Sequence, residues 1–443
     1  MRYTIVGSGP CGLSLAYILS LNNYEIDLIE KDNQLGGSWN ATWIDGNYFS
    51  ENSPRVFIQS KSSNKLLSHL GFTTKDFQNI YGNIFETNYK MLHFITKYFN
   101  ILDYFIFLFS AIKYRFVIEN KTVYKWMRSS HLSVSAQKAV KIISILICDR
   151  PEKTNINDFF SSIGIGSFIK QMKQPNKWHE LIEQYLTTKK NVRIFKNTKV
   201  VKIEKKNELF SIFTKNVSYG YNDILFSNKL FLCTQSNGIY PILKDSCNII
   251  KNNWMPIEKM KDWSENTFYS GFGFQLHFDK KVEFKSEWCW SCQGDWTVIV
   301  LPVSNWLKEF SKDETIKTVW SCCIVDMDTK SKRINKTANQ SNYSEVLNEC
   351  LHQIYESFNI PKPKVVTTSV GLKKINNKWV SRNTGYTKNT YQDLNITGKT
   401  ENLFALGCFT KTSQNQIAHM GTAIDAVAEY LNKYENLDNN IFK

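Results

Sequence analysis

The sequence predicts an α/β protein, and three stretches carry that prediction: a strand, glycine turn, helix and second strand in the first thirty residues, a mostly helical region over 64–186, and a closing strand and helix over 402–431. Arg2 to Val6 (RYTIV) reads as a short buried strand, Leu13 to Leu21 as an apolar helix, and Glu25 to Ile29 as a second strand ending on Glu30. Between strand and helix stands Gly7-Ser8-Gly9-Pro10-Cys11-Gly12. In this context G-x-G-x-x-G is a dinucleotide-binding fingerprint rather than a chance pattern. Gly7 lets the chain turn off the strand, Gly9 lets backbone approach a pyrophosphate, and Gly12 lets the helix pack closely. The helix N-terminus offers unpaired N–H groups and the positive end of its dipole to the phosphates. Glu30 is placed to accept hydrogen bonds from a ribose diol, and an acid there disfavours a 2′-phosphate.

A chain of 443 residues suggests two or three domains, and 42% hydrophobic with 21% charged residues is ordinary for a globular protein. The formal charge of +15 is not ordinary. No long basic run and no nucleic-acid motif is present, so a diffuse Lys-rich surface is preferred over nucleic acid as its meaning. Because the fold starts at residue 2 with no leader before it, the protein is expected to be cytoplasmic, possible contact with a membrane face included. Ten scattered cysteines are expected as free thiols. Cys289-Trp290-Ser291-Cys292 with Cys322-Cys323 lacks the two spaced pairs of a zinc cage, so core packing is expected and no metal. The longest apolar run, Tyr104 to Ile112, is too short to span a bilayer. It reads as a buried core helix or as a helix lying at a membrane surface with Lys113 and Arg115 at its end, the core being preferred.

After Glu30 and Lys31 come Leu35-Gly36-Gly37-Ser38-Trp39, where two adjacent glycines suggest backbone pressed against a cofactor. From 64 to 186 the periodicity is helical, notably over Ala136 to Ile147 and Lys177 to Tyr185; His179, on the latter, reads as a surface or core histidine. Strand character returns over Asn191 to Glu204 and Lys229 to Thr234. Tyr269 to Phe278, Glu287 to Ser291, Trp296 to Val303 and Thr318 to Val325 read as strands, and Ser344 to Phe358 as an amphipathic helix. Asn402 to Gly407 is a buried strand followed, from Met420, by a helix with small and apolar residues on one face.

GSGPCGLSLAYILS, IDLIEKD and LGGSW together resemble the amino-terminal fingerprint of FAD-dependent oxidoreductases, in particular the flavin amine oxidase and phytoene desaturase superfamily. Asp45-Gly46 and ENSPRVF over Glu51 to Phe57 are similar to its next block. The resemblance implies a Rossmann-like FAD-binding domain from three segments, 1–60, 187–245 and 391–443. Interleaved with it would be an α+β substrate domain, 61–186 and 246–390, with a mixed sheet and a helical part. It implies FAD contacts from the fingerprint residues Gly7 to Gly12, from Glu30 and Lys31, and from Gly36, Gly37, Ser38 and Trp39. Arg55 would lie near the flavin or pyrophosphate, as guanidinium suits oxyanions; an ordinary turn arginine is the other reading. Val200 would meet adenine through its backbone, Gly407 and Cys408 would pass the cofactor, and the N–H of Met420 would face the flavin O2. Many relatives carry an acid just after the strand glycine, where this chain has Cys408-Phe409-Thr410.

The implied chemistry is removal of hydride from an apolar, polyisoprenoid-like or amine small molecule at flavin N5, with oxygen or another acceptor reoxidising the flavin. Trp379, Tyr386 and Phe409 are the candidate pocket walls, and no catalytic base is named. A flavin-binding protein without turnover and a redox-neutral isomerase or mutase share the same scaffold. A flavin monooxygenase is a minor alternative, since a second nucleotide fingerprint is missing from the sequence.

Overall fold

The structure is a computed structural model, and it describes residues 1–52, 55, 57–58, 60–80, 92–93, 95–147, 150–163, 169–267, 271–283, 292, 294–382, 394–412 and 419–443. Its first layer is a five-stranded parallel sheet in the order Leu403–Ala405, Lys229–Leu232, Arg2–Val6 (β1), Glu25–Ile29 (β2), Val192–Phe195. Three separate stretches of chain therefore meet in one sheet. Alternate residues face opposite sides, as strand geometry requires. Tyr3, Ile5, Ile26, Leu28, Phe231 and Phe404 join the helices α1 (Pro10–Leu21), Lys177–Thr187 and Met420–Tyr434 in one core. Val6, Ile29, Leu230, Leu232, Leu403 and Ala405 join a second core on the other side. There they meet the antiparallel strands Thr198–Lys206, Leu209–Asn216 and Asn222–Ser227 and the helices Ser236–Leu243 and Ile257–Asn266. Burial on both faces accounts for the near-continuous apolar reading of these strands.

The second sheet has the order Val298–Leu301, Thr318–Ile324, Gly273–Phe278, Val365–Thr368. The mixed sheet expected for this region is corrected: every pairing in it is antiparallel among the described residues. Helix Tyr343–Ser357, opened by a reciprocal Asn342–Glu345 cap, covers one face through Val346, Cys350 and Ile354. The other side rests on the backbone of residues 49–52. A Cβ at Gly273 would sit 1.8 Å from the Asn52 carbonyl oxygen. Gln275 Nε2 donates to the Glu51 carbonyl at 2.9 Å, and Thr367 Oγ1 to that of Phe49 at 3.2 Å. The expected strand Glu287 to Ser291 lies outside the described residues, with Cys289 in it. Cys292, Cys322 and Cys350 are buried in this apolar core, and burial pushes the Cys292 thiol up to about 12.

The region read as mostly helical also contributes a small antiparallel sheet, Phe57–Ile58, Ile169–Met172 and Phe77–Asn79. Its helices Ile101–Phe116, Val123–Ser129, Val134–Ile147 and Ile156–Ile163 surround a core of their own around Phe107, Trp126, Val140 and Phe159. Lys141 ties this unit to Asp326 at 2.9 Å. The expectation that Tyr104 to Ile112 is a buried core run is corrected. Asp103, Phe107, Ser110 and Tyr114 are buried, while Phe105, Leu108, Phe109 and Ile112 are exposed. The run is apolar on all sides, and the bundle covers only one of them. Among the described residues, no helix is long and apolar enough to cross a membrane.

Candidate dinucleotide site

Parallel strands bring their carboxyl ends to one edge, where ligands of open α/β sheets bind. Here β1 ends at Val6, the strand beside it at Leu232 and the next one out at Ala405, and the three following turns meet. Gly7 holds φ of 101°, and a Cβ on it would lie 2.7 Å from the Cys233 carbonyl oxygen. A Cβ on Gly12 would lie 1.9 Å from the Gly7 carbonyl oxygen, so Gly12 closes α1 against the turn rather than against the body of the sheet. Gly9 differs from both. Nothing lies within 4 Å of its Cβ position, which is open space. Gly9 caps α1 without a side-chain acceptor, Pro10 is the first helical residue, and the first turn carries no acid. The N–H groups of that turn therefore have no internal partner, the arrangement that favours an anion.

Glu30 is buried at the end of β2. One carboxylate oxygen accepts from the Ser8 N–H at 2.9 Å and its hydroxyl at 2.6 Å, and the other from the Asp32 N–H at 3.0 Å. A carboxylate has about four lone-pair positions, so one remains for a ribose hydroxyl. Lys31 beside it is exposed, its ammonium 3.4 Å from the Arg382 carbonyl.

The Gly36-Gly37 turn, with φ of 105° and 58°, leads into the short helical turn Gly37–Trp39 that contains half-buried Ser38. Its glycines are required by the protein itself, whatever passes on the other side of the turn. A Cβ on Gly37 would be 2.8 Å from the Gly9 Cα, and one on Gly36 2.7 Å from the His179 ring. His179 is thus a buried wall of this turn. Neither ring nitrogen has a hydrogen-bond partner among the described residues, and burial, with the charges of Arg55 and Lys196, pulls its pKa down to about 3. Arg55 is buried too, which corrects the reading of it as an ordinary turn residue. Its guanidinium donates to the carbonyls of Trp39 and Asn40 and lies 3.5 Å from Glu51. Burial raises the Glu51 carboxyl to about 7 against the pull of Arg55.

Val200 is buried on Thr198–Lys206, the edge strand of its sheet, opposite Thr214 and beside a register shift. An edge strand leaves alternate backbone groups unpaired by the ladder. Gly407 follows the last strand, and its N–H donates to Thr410 Oγ1 at 2.9 Å, so a hydroxyl holds the turn near which relatives carry an acid. Cys408 is half-buried against the first core, and Cys11 and Cys233 beside it hold their sulfurs 3.7 Å apart. Met420 opens the final helix. Its cap is His419, a residue the sequence reading passed over because capping preference runs to Ser, Thr, Asp and Asn. His419 Nδ1 accepts from the Gly421 N–H at 2.9 Å. Burial lowers its pKa to about 4, so the ring is neutral at pH 7 with its proton on Nε2, and Nε2 has no partner among the described residues.

The sequence model of the NAD(P)-binding Rossmann-like domain matches residues 5–71. No curated protein matches the sequence. Solved structures do match in shape. An oxidoreductase from Methanosarcina mazei superposes with a TM-score of 0.63 at 11% identity, covering 98% of this chain and 100% of that one. Putrescine oxidase bound to putrescine gives 0.60 at 10% identity, over 98% and 100% of the two chains. Cyclohexylamine oxidase from Brevibacterium oxydans gives 0.60 at 11%, over 98% and 99%. The chain shares its fold with these oxidoreductases.

In this fold two of the three expected pocket aromatics are buried in the cores of the protein. Phe409 is buried in the second core, edge-on to Trp263 at 5.5 Å, and fills the space in front of Gly407. Trp379 is buried in the core of the antiparallel sheet, edge-on to Phe272 at 5.1 Å, its indole N–H donating to the Ala338 carbonyl at 2.9 Å. Both aromatics are consumed by packing. Tyr386 lies outside the described residues.

Proposed function

We propose that this chain is an FAD-dependent oxidoreductase that takes hydride from an apolar or amine small molecule. The supporting observation is the cradle at the carboxyl edge of the parallel sheet: open space at Gly9, an uncapped α1 N-terminus beside it, and buried Glu30 at the end of the neighbouring strand. These residues fit a dinucleotide. When bound, FAD supplies hydride acceptance at its flavin ring.

In this reading the chain's own contributions are these. The first-turn N–H groups of α1 would hold the pyrophosphate, the space at Gly9 would admit it, and Glu30 would accept from one ribose hydroxyl. The outer backbone of Thr198–Lys206 at Val200 faces adenine. The N-terminus of Met420–Tyr434 favours negative charge at the flavin's pyrimidine end. His419, neutral and protonated on Nε2, adds a donor there that burial keeps from becoming a cation. The names of the similar enzymes, which act on putrescine and cyclohexylamine, weigh toward an amine substrate.

Anaerobic mixing of the FAD-loaded protein with mono-amines, diamines and apolar polyenes tests this reading. Bleaching of the flavin bands by one of these classes is expected. Bound FAD that none of them reduces would overturn it in favour of flavin binding without turnover, and reduction by NADPH alone would point to a monooxygenase.

A further inference from the structure

We infer that helix Ile101–Phe116 lies in the surface of an anionic lipid bilayer. At 100° per residue, Ile101, Phe105, Leu108 and Ile112 with Leu102, Phe109 and Phe116 form one stripe, and all seven are exposed. Phe105, Phe109 and Phe116 are 62%, 71% and 83% exposed. At ~200 Å² per ring side chain, these three alone leave on the order of 400 Å² of apolar surface in water, within the range of the largest patch on an ordinary monomer. The four aliphatic residues extend it further. The opposite face, Asp103, Phe107, Ser110 and Tyr114, is buried in the bundle, so the helix is held with its stripe outward. Sixteen residues give a helix of about 24 Å, which is too short to span a bilayer and suited to lying along it.

Charge identifies the occupant. By the same rotation Lys113 and Arg115 flank the stripe on its two sides. Between residues 95 and 130 the bases are Lys97, Lys113, Arg115, Lys121, Lys125 and Arg128, and the acids are Asp103 and Glu119. Asp103 is turned inward, accepting from the backbone and hydroxyl of Ser133, and Glu119 is paired with Lys113 at 2.6 Å. The segment that carries the stripe is therefore net positive, six bases against two acids with Arg115 beside the stripe, on a chain of net charge +15. A second copy would bring like charge against it, whereas anionic headgroups complement it while acyl chains take the stripe.

Flotation of the purified full chain with phosphatidylcholine vesicles, with and without phosphatidylserine, tests the inference independently of any flavin. The protein is expected to float with the phosphatidylserine vesicles and to be released by salt. The double variant Phe105→Ser/Phe109→Ser should lose bound fraction at least roughly tenfold, because two exposed rings no longer enter the membrane. Its circular dichroism and melting should match the parent, since both rings are in solvent. A second variant, Arg115→Glu, should weaken binding to phosphatidylserine vesicles. Failure of the parent to float at low salt, flotation unaltered in the double variant, or a dimer that the double variant dissociates would each overturn the inference.

Discussion

Gly9 and Gly12 stand three residues apart in one motif, yet they should fail in opposite ways. At Gly12 an added Cβ would lie 1.9 Å from the Gly7 carbonyl oxygen and 3.0 Å from its carbon, and Gly7 is itself pinned at φ of 101° against Cys233. Backbone cannot swing aside as a side chain can, so α1 must shift on its turn. Gly12→Ala should cost about 3 kcal/mol, the upper end of overpacking penalties. With a urea slope of about 3 kcal/mol per M, the unfolding midpoint falls by roughly 1 M. At Gly9 nothing lies within 4 Å of the Cβ position, and φ of −72° with ψ of −173° suits any L-residue. Gly9→Val should therefore change stability by no more than about 0.5 kcal/mol, while filling the space a pyrophosphate needs. Urea unfolding must be compared on flavin-free protein, because a bound ligand stabilises by mass action. Flavin retention is then read from the visible bands after purification. A Gly12→Ala protein with the parent's midpoint, or a Gly9→Val protein that keeps stoichiometric FAD, would refute the reasoning.

Three histidines make the flavin-free protein acid-sensitive. Burial holds His179, His277 and His419 at about 3, 4 and 4, below the ordinary 6.5, so the unfolded chain binds more protons and stability falls as pH drops below that value. Glu51, raised to about 7, runs the other way and offsets one of them between its folded value and the ordinary 4.5. The net loss between pH 6.5 and 5 should be on the order of 2 kcal/mol per pH unit, and a urea midpoint that is flat across that window contradicts it. Arg55→Met should cost about 3–5 kcal/mol by stranding buried Glu51 and freeing the Trp39 and Asn40 carbonyls. Adding Glu51→Gln should recover much of that loss, and simple additivity in the double-mutant cycle would count against the pairing. Phe409→Ala should destabilise by about 3–5 kcal/mol without altering substrate preference; altered preference in a protein of parental stability would return Phe409 to the pocket.

The parallel sheet and the fingerprint were legible because local rules decide them. A strand buried on both faces is apolar throughout, a tight turn needs glycine, and Glu30 ends a strand whose register places it beside Ser8. Long-range contacts were not legible. Gly36 requires its glycine because His179, far along the chain, packs against it. Arg55 looks like an anion ligand in sequence but satisfies two carbonyls fifteen and sixteen residues earlier. Trp379 and Phe409 stand near the last cofactor segment in sequence, while packing against Phe272 and Trp263 draws both into cores. The Tyr104 to Ile112 run carries no clear polar side, so only the placement of its neighbours shows which face is left in solvent.

The absorbance spectrum of the purified protein, with release and identification of any bound flavin, tests the central claim most directly. Bands of oxidised flavin, with one FAD released per chain on denaturation, are expected. A colourless protein that also fails to take up added FAD would contradict the claim and leave the cradle at Gly9 to another dinucleotide or to none.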